Sequence, residues 1–231
     1  MLRVEGVAAS YGTVPVLHDL TFEARPGEIL CVLGRNGAGK TTTMKAIMGL
    51  VPVSAGRITW NGTETSALDP HEIPKTGIGY VPQGRRLFGE LTVAENLAVG
   101  MLPRRSPARV REAALDLFPV LRSRLAQRAE TLSGGEQTML TVARALCIAP
   151  DLMLLDEPTE GLQPSMVVAI RDVVLRLRAE GKAIVLVEQR IDAVLAVADR
   201  VAFVEGGTVV ETATAADLRA DPARLKARLG V

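Results

Sequence analysis

The chain has 231 residues, of which 48% are apolar and 23% are charged, and its formal net charge is +1. This length allows one compact domain with a sizeable core, and the composition is typical of a globular protein. The near-neutral charge and the aromatic content of 3% argue against a surface that binds nucleic acid or anionic membrane.

The first third of the chain alternates short apolar runs with a helical pattern. The sequence predicts a buried strand at Ile29–Leu33, a helix at Thr41–Leu50, a strand at Arg57–Trp60 with a turn after it, and a strand at Ile78–Val81. Two cysteines, Cys31 and Cys147, lie in apolar runs and are expected to be buried thiols rather than a disulfide or metal ligands.

The middle of the chain, residues 84–149, has helical patterns and no convincing strand. Helices are predicted to begin at Thr92, at Pro107 and at Ser133, and the second should run to about Leu125. The first and third have a glutamate three residues after the Thr or Ser, which is the spacing of a capping box.

Strands return in the last third of the chain. The sequence predicts a strand at Leu152–Leu155, a helix from Pro164 to Gly181, a strand at Ala183–Val187, a hairpin from Val201–Val204 and Thr208–Glu211, and two short helices at the end. No apolar run is long enough to cross a bilayer, and no signal peptide is recognised. Association with a membrane would therefore require a partner.

A glycine-rich segment follows the first predicted strand. It reads Gly34-Arg35-Asn36-Gly37-Ala38-Gly39-Lys40-Thr41, with Thr42 next, and matches the P-loop pattern between a strand and a helix. Glycines let the backbone wrap closely around phosphate, and the helix N-terminus adds positive potential. Lys40 is expected to reach the β- and γ-phosphates of ATP, and the Thr41 hydroxyl to ligate Mg²⁺.

An acidic pair ends the predicted strand at Leu152–Leu155. Asp156 is expected to hold the Mg²⁺ shell, and Glu157 to orient and deprotonate the attacking water. By itself such a pair is often a solvated turn, but together with the P-loop it predicts ATP hydrolysis.

A further segment, Leu132-Ser133-Gly134-Gly135-Glu136, resembles the signature motif of ABC-type ATPases. An ordinary helix cap would explain the serine and glutamate but not the paired glycines, which leave the helix N-terminus open to an anion. The resemblance covers essentially the whole chain. It implies an α/β P-loop NTPase fold, with a mixed β-sheet core at 1–83 and 150–231 and an all-helical insert subdomain at 84–149, together forming one domain.

The resemblance also assigns roles to isolated residues. Tyr11 matches the aromatic residue that stacks on adenine, and Gln83 matches the glutamine that contacts Mg²⁺ and the attacking water. Ser133, Gly134 and Gly135 would contact ATP held by a second ABC ATPase subunit, the same chain or a related one. Transmembrane permease subunits, and indirectly a solute-binding protein, are the other implied partners, at the cytoplasmic face of the inner membrane.

Two positions depart from the pattern of many relatives. Gln189 stands where they have a histidine, so it can donate a hydrogen bond to the γ-phosphate but cannot carry a charge. Gln163 stands where they have an aspartate that helps to couple the two ATP sites. Residues 160–164 and 187–189, and the turn from Gly84 to Phe88, are similar to the ATPase subunits of branched-chain amino-acid importers. Residues 82–85 and 159–164 further resemble the urea or short-amide branch of these importers.

The leading interpretation is therefore an ATP-hydrolysing motor of an importer for small nitrogenous solutes. An ABC exporter subunit and an ATP-gated interaction module with little hydrolysis are the alternatives, the second because of Gln189. An ABC protein acting on ribosomes or DNA fits poorly, since the chain has one P-loop, no heptad run and no basic excess. Arg85, Arg86 and Phe88 either dock a permease or form a solvated basic turn.

Overall fold

The computed structural model describes residues 1–84 and 86–221, which form ten strands and eight α-helices. The strands are β1 (Leu2–Tyr11), β2 (Val14–Ala24), β3 (Ile29–Leu33), β4 (Val53–Trp60), β5 (Thr63–Glu64), β6 (Ile78–Val81), β7 (Leu152–Asp156), β8 (Ala183–Val187), β9 (Arg200–Glu205) and β10 (Thr208–Thr214). The α-helices are α1 (Lys40–Ile47), α2 (Val93–Met101), α3 (Ala108–Leu117), α4 (Pro119–Arg122), α5 (Gly134–Leu146), α6 (Pro164–Ala179), α7 (Ile191–Val197) and α8 (Ala215–Ala220).

The strands form two sheets. The larger has the order β10-β9-β3-β8-β7-β6, with β10 antiparallel to β9 and the remaining neighbours parallel. The smaller has the order β2-β1-β4-β5 and is antiparallel. All residues of β3, β7 and β8 are buried, which explains why these strands are continuous apolar runs in the sequence.

The two faces of the larger sheet pack into two separate cores. Along β3, Cys31 and Leu33 face a core shared with the helices of the 84–149 segment and with α6, whereas Leu30 and Val32 face a core shared with α1 and the smaller sheet. Alternation of side chains along a strand produces this division.

Because β3, β8 and β7 are parallel, their carboxyl ends lie at the same edge of the larger sheet. The predicted phosphate-binding and acidic residues follow these strand ends.

The described residues between 84 and 149 contain helices α2 to α5 and no strand of either sheet. Helix α5 is their centre, since it packs on α2, α3 and α4 and reaches β6. Thr92 and Ser133 cap α2 and α5 with complete capping boxes, as the sequence predicts. None of the helices within residues 1–84 and 86–221 has the length and apolar character required to cross a membrane.

Most predicted elements are confirmed, and the corrections concern boundaries and elements that the sequence did not predict. The predicted helix from Pro107 to Leu125 is wrong: α3 ends at Leu117, and Pro119 begins α4, because proline disfavours helical geometry in the preceding residue, Phe118. The helix after the P-loop ends at Ile47, before a glycine with φ 66° at position 49.

The other corrections concern elements that the sequence did not predict. The long strands β1 and β2 and the short helix α7 were not predicted as elements, and Arg57–Trp60 is only the second half of β4. Of the two final helices, α8 is present, and the other prediction falls on residues 222–231, outside the described residues. Both cysteines are buried and free, as predicted.

Candidate nucleotide-binding and hydrolytic site

The glycine-rich loop connects the end of β3 to the start of α1. Gly37 and Gly39 have φ values of 81° and 105°, which residues with a side chain rarely adopt. Gly34 has a different reason to be glycine: a Cβ there would lie 2.2 Å from the carbonyl oxygen of Val204 on β9. The loop therefore wraps at its tip and packs against the sheet at its base, so that the first amides of α1 face the cleft.

The Lys40 side chain is folded back into this loop. Its Nζ donates to the carbonyl oxygens of Gly34 at 2.8 Å and Arg35 at 3.0 Å, and the residue is only 5% exposed. Burial lowers the pKa of Lys40, and the negative charges of Glu157 and Asp156 act in the opposite direction. The ammonium group is thus held over the loop, in position for a phosphate.

Thr41 and Asp156 face each other across the floor of the cleft. The Thr41 hydroxyl donates to Asp156 Oδ1 at 3.2 Å. Asp156 is fully buried, and its Oδ2 has no hydrogen-bond partner within the described residues. Burial raises the pKa of Asp156, although the Thr41 hydrogen bond lowers it. A buried carboxylate oxygen without a partner is costly unless a cation or donor completes it.

Glu157 is held by both predicted glutamines. Its Oε1 accepts a hydrogen bond from Gln189 Nε2 at 2.7 Å, and its Oε2 accepts one from Gln83 Nε2 at 3.2 Å. The backbone of Glu157 has φ 51°, a left-handed conformation that is uncommon for a side-chain-bearing residue and costs about 1–3 kcal/mol. Its N–H donates to the carbonyl of Val187 at 3.0 Å, which fixes the turn against β8.

Lys40, Thr41, Glu157 and the two glutamines line one open cleft of about 530 Å³, and Asp156 lies buried behind Thr41. Its walls include nine predicted residues and two that the sequence did not predict, Val16 and Glu160. The full set is Val16, Asn36, Gly37, Gly39, Lys40, Thr41, Thr42, Gln83, Glu157, Glu160 and Gln189. Glu160 Oε2 also accepts from Gln83 Nε2 at 3.2 Å. Its signal was visible, an acid three residues after Glu157, whereas Val16 had none.

Arg35 and Ala38 line an adjoining cavity with Asn36 and Gly37, against the turn after β9. Tyr11 lies at the end of β1 and is not among the residues that line the main cleft. It is 45% exposed, and Lys45 Nζ lies 5.7 Å from the centre of its ring. The ring is therefore exposed beside α1, and its stacking on adenine stays a prediction.

The predicted signature residues form the N-terminus of α5. Ser133 Oγ accepts a hydrogen bond from the Glu136 backbone N–H at 3.4 Å, and the Glu136 carboxylate accepts one from the Ser133 backbone N–H at 2.9 Å. A Cβ on Gly135 would lie 3.0 Å from Met166 of α6. Ser133, Gly134 and Gly135 are absent from the lining of the main cleft. The structure therefore brings together the predicted P-loop, acidic and glutamine residues, and leaves the signature residues apart from them.

The turn after Gln83 is fixed by the described part of the helical segment. Arg144 on α5 donates to the Arg86 carbonyl at 2.7 Å, and its guanidinium lies 5.3 Å from the centre of the Phe88 ring. Asn96 is fully buried and binds the backbone of Phe88 through both its amide and its carbonyl groups. Phe88 remains 51% exposed, and Arg85 lies outside the described residues.

The residues present fit a nucleotide and a divalent cation. The unpartnered Oδ2 of Asp156 beside the Thr41 hydroxyl is a pair of oxygen ligands of the kind that Mg²⁺ prefers. The buried lysine and the open amides of α1 suit a polyphosphate. A parallel sheet with this cleft at the carboxyl ends of its strands defines a P-loop nucleoside triphosphatase.

Comparison with known proteins identifies the family. Residues 17–160 match the family model described as ABC transporter. The chain is 41% identical over its full length to the full length of the branched-chain amino acid transport ATP-binding protein BraG of Pseudomonas aeruginosa. It is 38% identical to the probable branched-chain amino acid transport ATP-binding protein LivF of Archaeoglobus fulgidus, over 94% of each chain.

Solved structures agree with this assignment. The ATP-binding subunit of an ABC transporter superimposes with a TM-score of 0.86 at 28% identity, over 99% of this chain and 94% of the other. A dimeric ATP-binding cassette with bound ADP and Pi superimposes with a TM-score of 0.85 at 25% identity, over 93% and 99%. The chain belongs to the ATP-binding subunits of the ABC transporter family, and it is an ATPase.

Proposed function

We propose that this ATPase powers the uptake of branched-chain amino acids or related small nitrogenous solutes, urea and short amides included, by driving permease subunits from the cytoplasmic face of the membrane. The observation that carries the proposal is the 41% identity to BraG, which extends over the whole of both chains. The cleft supplies the energy-converting reaction, and the choice of solute belongs to the partner proteins.

In this proposal Lys40 and the amides of the loop from Gly34 to Thr42 hold the phosphates of ATP. Thr41, Asp156 and Gln83 hold Mg²⁺, which when bound neutralises charge on the phosphates. The buried, unpartnered oxygen of Asp156 supports this assignment, as does the folded-back position of Lys40. Tyr11 stacks on the adenine ring from the end of β1.

Glu157 acts as general base and takes the proton from the attacking water. Gln189 and Gln83 support this role by binding one carboxylate oxygen each, which leaves the carboxylate few orientations. Gln189 also donates a hydrogen bond toward the γ-phosphate, although it cannot exchange a proton as a histidine can.

The site is completed by a second ATPase subunit, the same chain or a related one. Ser133, Gly134 and Gly135 cover the nucleotide held in the partner's P-loop, as the open N-terminus of α5 and its separation from its own cleft support. The similar cassette solved with ADP and Pi is a dimer. The core at 1–83 and 150–231 and the insert at 84–149 would move relative to each other when the site closes.

The turn that includes Arg86 and Phe88 docks the permease. Beside it lies a groove of about 490 Å³, whose lining includes the cations of Lys45, Arg86 and Arg144 and, among the lining residues described, no acid. The exposed side chains of Phe88 and Leu50 add apolar surface area next to the groove. Such a surface suits a short amphipathic segment with acidic residues.

Reconstitution into proteoliposomes tests the proposal. The chain, its partner ATPase and the permease pair encoded with them would be assayed for uptake of labelled leucine and labelled urea, with the solute-binding protein outside. We expect ATP-dependent uptake of one of these solutes, lost with Glu157→Gln in this chain. Movement of solute only outward would favour an exporter, and uptake without ATP turnover by this chain would favour the gated module.

A further inference from the structure

Glu188 is a buried carboxylate directly beside the hydrolytic cleft. It follows β8 and is 4% exposed. Its Oε1 accepts a hydrogen bond from the Thr159 hydroxyl, and its Oε2 accepts one from the backbone N–H of Gln189 at 3.2 Å. It is not among the residues that line the cleft, so it has no direct access to a bound nucleotide.

The partners of Glu188 belong to the two loops that hold the general base. Thr159 lies two residues after Glu157, and Gln189 donates to Glu157 Oε1 at 2.7 Å. A closed ring therefore runs from Glu157 along the chain to Thr159, across to Glu188, on to Gln189 and back to Glu157. Neither loop can shift alone without breaking a hydrogen bond of this ring.

The surroundings of Glu188 are unfavourable for a charge. One side of the residue faces a cavity of about 190 Å³, whose lining includes the apolar Ile170, Val174 and Leu186 and also the charged Arg171, Arg190 and Asp192. Burial raises the pKa of Glu188, against the effect of the hydrogen bonds from Thr159 and from the Gln189 and Arg190 backbones. An apolar residue at this position would avoid the free-energy cost of burying a carboxylate. The presence of Glu188 is therefore explained by the hydrogen bonds that it accepts.

We propose that Glu188 is a positioning residue: through Thr159 and the Gln189 backbone it holds the loop of the general base and the loop of Gln189 in one fixed relation. Gln189 lacks the charge of a histidine, so its hold on Glu157 depends on where its backbone lies. Glu188 supplies that placement. The inference rests on the proposed role of Glu157 as general base.

Substitution of Thr159 tests this without placing a cavity in the core. Thr159→Val has nearly the same shape but removes the hydroxyl, and Thr159→Ser keeps it. We expect the kcat for ATP of the full-length chain to fall about tenfold in the valine variant, while the KM for ATP stays within about twofold, because the general base is misplaced but the P-loop is intact. The serine variant should keep kcat within about twofold of the parent.

A double-mutant cycle with Glu188→Ala adds the second arm. If the two residues act through one hydrogen bond, Thr159→Val should lower kcat by less than about twofold when Glu188 is already alanine. Equal kcat in the valine and serine variants, or a KM that rises as kcat falls, would overturn the inference. The inference would also be overturned if the loss of kcat in the double variant equalled the product of the losses in the two single variants.

The result remains distinct from a failure of the proposed function. Glu157→Gln, measured in parallel, should abolish most of the turnover. If it does and the valine variant is unaffected, only the positioning role of Glu188 is wrong. If Glu157→Gln retains full turnover, the assignment of the general base is wrong and the inference falls with it.

Discussion

The P-loop cleft and the N-terminus of α5 are the two places where we propose that phosphate binds, and they differ in how complete they are. At the cleft, residues from separate parts of the chain meet: Thr41 donates to Asp156, and Gln83 donates to Glu157. Lys40 lines the same cleft. At α5, Ser133 forms a capping box with Glu136 of its own helix, and Gly135 lies against Met166 of α6.

The difference suggests how one chain can bind ATP yet depend on a second for turnover. In the proposed function, the cleft binds the nucleotide by itself, whereas Ser133, Gly134 and Gly135 act only on the nucleotide of a second subunit. Substitutions in the cleft should therefore abolish binding or chemistry outright, and those at α5 should impair turnover while the chain's own cleft still binds ATP.

Loss of the Lys40 ammonium should have the largest effect. We expect Lys40→Ala to lower kcat/KM for ATP on the order of a thousandfold, since a buried cation that meets the β- and γ-phosphates is removed. Steady-state turnover and fluorescent-nucleotide binding measure it. Lys75→Ala, which removes an exposed lysine far along the chain, is the matched control and should leave both values unchanged. Normal turnover in Lys40→Ala would refute the assignment of the phosphate site.

Glu157→Gln should separate binding from chemistry within the cleft. The amide keeps the size of the side chain but cannot take a proton, so we expect kcat to fall on the order of a hundredfold with ATP affinity preserved. Single-turnover hydrolysis after rapid mixing measures the chemical step. Glu180→Gln changes an exposed glutamate paired with Arg176 and should have no effect. A parallel loss of ATP affinity would mean that Glu157 holds the nucleotide instead.

Ser133→Ala tests the covering half. Its kcat should fall about tenfold, because one hydrogen bond to a charged phosphate is lost, while ATP binding to the chain alone stays the same. The loss of the cap should also lower the free energy of unfolding by about 1 kcal/mol. Thr92→Ala removes an equivalent capping box on α2 and should cost similar stability with no loss of turnover. Equal turnover of the two variants would reduce Ser133 to an ordinary cap.

Without nucleotide and metal, Asp156→Asn should have a small effect on the free energy of unfolding, opposite in sign to that of Ser133→Ala. Burial raises the pKa of Asp156, so the folded chain binds this proton more readily than the unfolded chain. The associated stability is complete below the unfolded pKa and is lost as pH rises. Without nucleotide or metal, the free energy of unfolding of the asparagine variant should exceed that of the parent by about 1 kcal/mol at neutral pH, and this gain should shrink as the pH falls.

Denaturant unfolding at several pH values measures that difference. Asp69→Asn, at an exposed position, should give no comparable gain. A variant that is less stable than the parent at neutral pH would show that the carboxylate of Asp156 is stabilising as it stands.

Much of the core was predictable because its signals are local. The apolar runs of β3 and β8 are buried on both faces, and the spacing from Gly34 to Thr41 is itself the phosphate-binding structure. Strands β1 and β2 were missed because bulges interrupt their register and their exposed faces are polar. The end of α3 before Pro119 could have been predicted from the proline itself.

The candidate site was predictable by residue but not by contact. The acidic pair after a strand predicted Glu157, and the family resemblance predicted Gln83 and Gln189, but only the fold shows that both glutamines bind the same carboxylate. The unpartnered oxygen of Asp156 and the ring through Glu188 depend on side-chain packing between distant strands. No spacing rule carries that information.

A structure of the Glu157→Gln variant, bound to ATP and Mg²⁺ together with its partner ATPase subunit, is the most direct test. The γ-phosphate should lie about 2.7–3.2 Å from Lys40 Nζ on one side, with the signature serine of the other subunit at a similar distance on the opposite side. ATP bound away from Lys40, or covered by Ser133 of its own chain, would contradict the division of the site between two subunits.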